Sequence, residues 1–462
     1  MTRTNAKYSW FSIPIEVSKI PAKAEFVAVS CHIDFSTVLT ERGIVDERTL
    51  KLYCIEPDGT EVEQPVQFSP DVQKRHPGRH LSPGTPETVS WGSDWSVNET
   101  PPDLKVSGTL TWIAQGRPNG ICKYKLLFGV PHDGIFVQVP FLPNNLRHFD
   151  AEGCATPVEQ FPHMQIRPQW PLDGVVHILR DAEILTSYHI GPKEGAESAA
   201  RRPYFYPVNG PDGISLTELG KPHDPTGSHG HHYSLWIAHA NVDGADFWSE
   251  GGGIVCHERF ELMEDGPVFA RLVQKAHWIA QDDRKLNETR QLTFYATPES
   301  FRLIDVELEL SPGGSEPIEL GKTPFGFLAA RVAQSMTVFD GGGEIVNSEG
   351  QRNEQGAHWQ SAEWIDQSGP VATGKWGGIA LFDYPDNPDH PTGWHCRNDG
   401  WAGASFNLSR AWTIEPDHPL RLRYRVHLHR HNASDGRVAF RYAEYACKPE
   451  ITLAECTPQN GQ

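Results

Sequence analysis

The chain has 462 residues, of which 38% are hydrophobic, 22% charged and 10% aromatic, with 42 Gly and 37 Pro. That length exceeds one ordinary domain and predicts two, and the Gly and Pro content suits many short strands joined by tight turns. A formal charge of −18, from 59 acidic against 41 basic residues, repels nucleic acid and anionic lipid, so neither is expected as a partner.

The first residues, MTRTNAKYSWFSIPIEV, hold no apolar core of signal-peptide length. No stretch approaches the roughly 20 apolar residues of a membrane helix, so a soluble, cytoplasmic protein is expected. The eight cysteines are scattered with no CxxC pair, which reads as free thiols.

In chain order, residues 1–135 carry short alternating segments such as 107–113 and 123–128, interrupted by a polar stretch from Gln73 to Asp103. They are expected to form an N-terminal β-sandwich accessory domain. Residues 136–175 read as a linker, with a short helix near 150–160. Residues 176–448 form the larger domain, and 449–462 a peripheral tail. Its strand signal is strict alternation. Residues 302–310 set Ile304, Val306, Leu308 and Leu310 against Asp305, Glu307 and Glu309. Residues 420–429 set Leu420, Leu422, Tyr424, Val426 and Leu428 against Arg421, Arg423, Arg425, His427 and His429. Period two means strands with one buried face, hence antiparallel sheets packed in layers. The expected class is all-β.

The densest chemical signal is SHGHHYSLWIAH, residues 228–239. If this segment is extended, His229 and His231 point to one side and His232 to the other. Two imidazoles at that spacing suit a divalent metal completed by a third ligand, or a division of acid and base roles near neutral pH. His229 and His231 are therefore the metal candidates, and a divalent ion is the one cofactor the pattern admits. Upstream, Arg202 leads the aromatic run 202–207, where Tyr204 or Tyr206 is expected to meet a ligand, or both serve as ordinary core aromatics. Downstream, Glu288 and Arg290 share a face, as a cross-strand ion pair or as a site carboxylate with its orienting cation. Arg331 follows the turn 323–326. The segment 394–397 puts His395 and Arg397 on one side of a strand and Trp394 on the other. No GxGxxG, GxxxxGK[ST], GxSxG or HExxH pattern occurs, so neither a nucleotide cofactor nor serine-esterase or zincin chemistry is expected. Trp and Tyr faces stack on the C–H faces of sugars, and Arg and His bind hydroxyls and carboxylates.

Residues 202–430 resemble the bacterial family labelled methane oxygenase PmoA-like, a soluble β-rich family despite the label. The matching segments are RPYFYPVNGPDG, SHGHHYSLW, DGADFW, GGIVCH, LNETR, KTPFGFLAARVA, NSEG, AEWIDQSG, GGIALFDYPDNP and GWHCRNDG. The resemblance implies a large antiparallel β-supersandwich, mutarotase-like in architecture. It also puts His229, His231, His232, Asp246, Trp248, Glu288, Arg331, His395 and Arg397 at family positions. Tyr233 stands where the family usually has Arg, and Asp243-Gly244 where it usually has Asn-Gly.

The resulting expectation is a carbohydrate-active enzyme that cleaves a glycosidic linkage by hydrolysis or β-elimination. His229, His231, His232, His395 and Glu288 are the catalytic candidates. Arg202, Tyr204, Trp248, Arg331, Trp394 and Arg397 are the substrate-binding candidates, with Trp248 or Trp394 as stacking platform. The alternatives are mutarotase-like isomerisation of a sugar, or a sugar-binding protein without turnover. A small carbohydrate is the expected partner, and self-association is left open.

Overall fold

A computed structural model describes residues 8–39, 45–71, 106–131, 147–149, 155–157, 161–169, 174–193, 200–220, 229–249 and 252–459. The polar stretch Gln73–Asp103 lies outside them. The chain divides into two compact units, one of residues 1–163, 265–269 and 447–462, the other of 164–264 and 270–446.

The first unit is a β-sandwich. Tyr8–Ser18 sits inside a sheet with Cys122–Pro131, Asp46–Ile55 and Glu61–Gln64, and a second sheet orders Val27–Asp34, Ser107–Ala114 and Val66–Pro70. Alternate residues Phe11, Ile13, Ile15 and Val17 face Val29, Leu110 and Trp112 in one core, as period-two patterning requires. The C-terminal residues are not peripheral: Glu450–Leu453 and Thr457–Gln459 both pair antiparallel with Tyr8–Ser18. Ala155–Pro157 is a strand paired with Arg147–Phe149, where a short helix was expected.

The second unit stacks a nine-stranded sheet on an eight-stranded one. The nine-stranded sheet runs Met164–Pro168, Val175–Arg180, Glu183–His189, Tyr204–Val208, Leu235–His239, Gly326–Arg331, Trp401–Ser405, Gly393–Arg397 and Gln360–Ser361. Ile304, Val306, Leu308, Leu310, Leu422, Tyr424 and Val426 of the eight-stranded sheet meet Leu235, Ile237, Leu328 and Ala330 of the other in a single core. The opposite parity carries the charges, and the register Asp305↔Arg425, Glu307↔Arg423 and Glu309↔Arg421 pairs every one of them. The N···O separations are 2.5, 3.3 and 2.8 Å. Opposite charges across a strand pair stabilise the register they mark. Among the described residues the longest helix is Val438–Tyr445, and no helix is long and apolar enough to cross a membrane.

The nine-stranded sheet also buries part of its other face. Trp236, Ala238, Trp248, Ala329 and Trp401 form a separate cluster there, packed with Tyr204, Tyr233 and Phe325. Leu235 and Ile237 face the main core while Trp236 and Ala238 face this cluster, so one strand serves both. The second face is where the histidines collect.

Candidate active site

Residues 229–231 form a turn rather than a strand, and the His232 N–H closes it on the His229 carbonyl at 3.0 Å. The turn overrides the alternation expected of an extended segment and brings all three imidazoles together. Ring centroids lie 6.3 Å apart for His229 and His231, 5.1 Å for His229 and His232, and 4.5 Å for His231 and His232. His232 is buried and stacks on Trp236 at 5.2 Å, with Trp401 at 5.4 Å and Trp248 at 6.3 Å.

Arg331 fixes the tautomer of His232. Its guanidinium nitrogen lies 3.0 Å from His232 Nδ1. A guanidinium only donates, so Nδ1 accepts and the neutral ring carries its proton on Nε2. Burial, reinforced by His231, Arg331, His229 and Arg202, holds the His232 pKa well below the ordinary histidine value. His232 is thus a neutral hydrogen-bond donor, not a base. Of the other two rings, His229 has Asp399 Oδ2 3.6 Å from its Nε2.

Arg202 and Arg331 are both buried and turn onto main chain. Arg202 donates to the carbonyls of Trp248 at 2.7 Å and His231 at 3.3 Å, and its guanidinium lies over Tyr233. Arg331 donates to the Asp399 carbonyl at 2.9 Å and lies 3.6 Å from Glu218. Through these contacts both arginines brace the histidine turn. Asp246 accepts from the Trp248 and Ser249 amides at 2.7 and 3.1 Å, which seats Trp248 against the cluster. Tyr204 is stacked between His189 at 4.3 Å and Tyr233 at 5.0 Å.

Sheet register carries the site sideways. Tyr204 pairs with Trp236, Trp236 with Ala329, Ala329 with Gly403 and Gly403 with His395. The neighbouring row pairs Arg331 with Trp401 and Trp401 with Arg397. His395 is buried against Trp401 at 4.1 Å, with His358 at 4.6 Å and Phe325 at 5.1 Å. Neither of its ring nitrogens has a hydrogen bond of ordinary geometry among the described residues. Burial, with His358 beside it, drops its pKa to about 3, against a weak opposing effect of the Pro324 carbonyl. The Trp236 indole N–H is likewise unpartnered and fully buried. Native proteins rarely leave such groups unmet, since each costs about 1–3 kcal/mol.

Residues 175–443 match a family model described as a family of unknown function, DUF6807. The chain belongs to the DUF6807 family. No curated protein matches it. Among solved structures it is similar to a glycosyl hydrolase family 38 protein from Enterococcus faecalis, at TM-score 0.41 and 9% identity, over 96% of this chain and 47% of that one. It is also similar to an α-mannosidase from Enterococcus faecalis V583, at TM-score 0.38 and 8% identity, over 96% of this chain and 46% of that one. A heparinase III aligns at TM-score 0.27 and 10% identity, over 66% of this chain and 43% of that one. The chain thus spans about half the length of the first two proteins. At this distance the alignments bear on neither activity nor substrate.

Every residue predicted for the site lies inside the DUF6807 region, but three stand away from the histidine turn. Trp394 faces the main core and donates its indole N–H to the Ala362 carbonyl at 2.8 Å, so it is no stacking platform. Strand parity decides this, since 394 and 395 take opposite faces. Arg397 takes the same side as His395 but is half-exposed and ion-paired with Glu354 at 2.9 Å. Glu288 is fully buried, bonded to the Arg290 guanidinium Nε at 2.5 Å and the Trp278 indole at 2.6 Å. Arg290 continues to the Tyr188 hydroxyl at 3.2 Å. The pair is buried in the core of the second unit. Removing one partner strands a buried charge, so Glu288→Ala is expected to lower the unfolding free energy by about 3–5 kcal/mol. Glu288→Gln, which keeps a hydrogen-bonding oxygen, should cost less. Equilibrium urea denaturation measures both, and equal, negligible losses would contradict the assignment.

Among the described residues no group of three or more His, Cys, Asp and Glu is arranged to hold a metal ion. Two guanidinium groups beside His232 also oppose a further cation there. The expected His229–His231 pair thus has no such three-ligand group around it among the described residues. Sequence reasoning missed Trp236, Trp401, His358, Phe325 and Asp399, which the structure gathers around the candidate site. The three-residue turn Asn398-Asp399-Gly400 was a usable signal for two of them. Gly400 has φ 108°, and a hairpin closed there sets Trp401 opposite Arg397.

Proposed function

We propose that this protein is a carbohydrate-active enzyme that cleaves a glycosidic linkage at the histidine turn, using imidazoles as acid and base without a metal. The observation that carries the reading is the convergence of the His229, His231 and His232 rings on one another, with His232 packed on Trp236, Trp248 and Trp401. The buried indoles hold His232 in place, and this neutral imidazole donor and the more open His229 meet the oxygens and protons of a sugar.

Elimination fits this inventory better than hydrolysis. Glycoside hydrolysis ordinarily uses two carboxylates facing the scissile bond. Here Asp399 lies beside His229, but Glu218 is held by Arg331 and by the Gln334 amide at 3.0 Å. In elimination from a uronate, one imidazole removes the proton beside the carboxylate. The released electron pair forms a carbon–carbon double bond, the glycosidic C–O bond breaks, and the departing oxygen takes up a proton. Isomerisation is the second reading, because it also needs only one acid and one base and leaves every bond to the aglycone intact.

The test is a glycan panel of hexose and uronate disaccharides, followed by ultraviolet absorbance, reducing-end release and polarimetry. Chelator-treated protein is expected to turn over as fast as untreated protein, and His229→Ala to lose turnover by about 10²–10⁴-fold. Rising ultraviolet absorbance from a new double bond identifies elimination. Reducing ends without that absorbance identify hydrolysis, and rotation change without cleavage identifies isomerisation. Binding with no reaction of any kind would leave a sugar-binding protein and overturn the proposal.

A further inference from the structure

Trp359 is the most unusual aromatic residue near the site. It is 53% exposed, and it holds φ 60°, a left-handed backbone that a bulky side chain adopts only when its surroundings compel it. Its amide donates to the Trp394 carbonyl at 2.8 Å, which ties it to the Gly393–Arg397 strand. His358 Nδ1 lies 2.8 Å from the Cys396 carbonyl of the same strand, so Nδ1 donates and its ring is fixed. The two rings stack at 4.4 Å and 29°. Backbone strain, an anchored imidazole and a stacked, solvent-facing indole are combined at one sheet edge.

Next to this pair stands His395, whose two buried ring nitrogens have no hydrogen bond of ordinary geometry among the described residues. From Trp359 the rings continue through His358, His395 and Trp401 to His232, in centroid steps of 4.4, 4.6, 4.1 and 5.4 Å. Three strand spacings separate the Leu235–His239 strand from the Gly393–Arg397 strand, roughly 14 Å. One hexose ring is too short to reach from the histidine turn to Trp359.

We propose that Trp359, His358 and His395 form a second sugar subsite, and that the ligand is an oligosaccharide of at least two residues laid across the sheet. This rests on the sugar-cleaving reading of the histidine turn. Trp359 offers the stacking face for the distal ring. His395, kept neutral by burial, presents one donor and one acceptor nitrogen, the complement of a hydroxyl group, which both donates and accepts. The exposed indole face and the buried polar floor are the two halves of a sugar contact.

The experiment compares wild type, Trp359→Ala and Trp359→Phe on hexose and uronate disaccharides and on the corresponding methyl monosaccharides, by calorimetric binding and steady-state kinetics. Trp359 is exposed, so its replacement should leave the fold intact, which thermal unfolding checks. For disaccharides, Trp359→Ala is expected to raise Kd and KM about threefold to tenfold with little change in kcat, and Trp359→Phe to recover most of the loss. Methyl monosaccharides should bind the variants and the wild type alike. Equal affinities of all three proteins for disaccharides overturn the subsite alone, as does an equal loss for mono- and disaccharides. Failure of every glycan to bind wild type overturns the histidine-turn reading and the subsite with it.

Discussion

Acidification from pH 7 to pH 4.5 is expected to unfold the larger unit, through histidines that the fold keeps neutral. Burial is the leading cause for each. It holds His232 and His427 well below the ordinary value of 6.5, lowers His239 and His257 to about 4 and His395 to about 3. Below pH 6.5 the unfolded chain takes protons at these positions and the folded chain does not, so stability falls as pH falls. Each group contributes a slope approaching 1.4 kcal/mol per pH unit between its unfolded and folded values. Five such groups, discounted for relaxation and water entry, still remove several kcal/mol by pH 5, against a typical total of about 5–15 kcal/mol. His429 acts with the opposite sign. Burial alone would lower its pKa, but Asp366 at 2.8 Å more than offsets this and raises it. Its stabilisation is complete below pH 6.5 and fades as pH rises through the folded value, so it cannot offset the acid loss. Urea midpoints measured at half-unit steps from pH 8 to pH 4 check this. A midpoint that stays level down to pH 5 would mean the buried imidazoles accept protons in place.

The strands of the larger unit were legible because their alternation is strict. In 302–310 and 420–429 each apolar residue at one parity enters the core, and each acid of one strand meets an arginine of the other. The site was legible only as a cluster of residue types. Alternation placed His229 and His231 together and His232 apart, but the His229–His232 turn closes by its own backbone bond and gathers all three. Trp394 and Trp401 look equivalent in sequence, yet one faces the main core and the other the histidines. Their difference follows from a hairpin register, which is a non-local property. Arg202 and Arg331 read as ligand clamps because arginine binds carboxylates well. Burial redirected them to main-chain carbonyls, whose desolvation also has to be met. Glu288 was read as a pair with Arg290 or as a site group, and only depth distinguishes the two. Both of its partners lie between the sheets.

Replacing His232 by Gln and by Phe is expected to separate a donor role from a proton-transfer role. Because Arg331 occupies Nδ1, only the Nε2–H face of the ring is left for a substrate. A glutamine amide supplies an oxygen that accepts from Arg331 and an N–H in nearly the place of Nε2–H. Phenylalanine keeps the ring packed on Trp236 and Trp401 but donates nothing, and it strands the Arg331 donor. A donor that stabilises developing negative charge in a water-poor pocket contributes about 10²–10³-fold to kcat. The expected result is that His232→Phe loses that factor while His232→Gln stays within about tenfold of wild type. Neither should alter the acid limb of the pH–rate profile, since His232 does not titrate in the working range. Proton transfer through His232 would give a different pattern, because an amide cannot shuttle protons. Both variants would then fall together and the profile would lose a limb. Single-turnover kinetics across pH 5.5–8.5, with unfolding midpoints to confirm folded protein, distinguish the two, and the outcome decides whether the proton is carried by His229 and His231 alone.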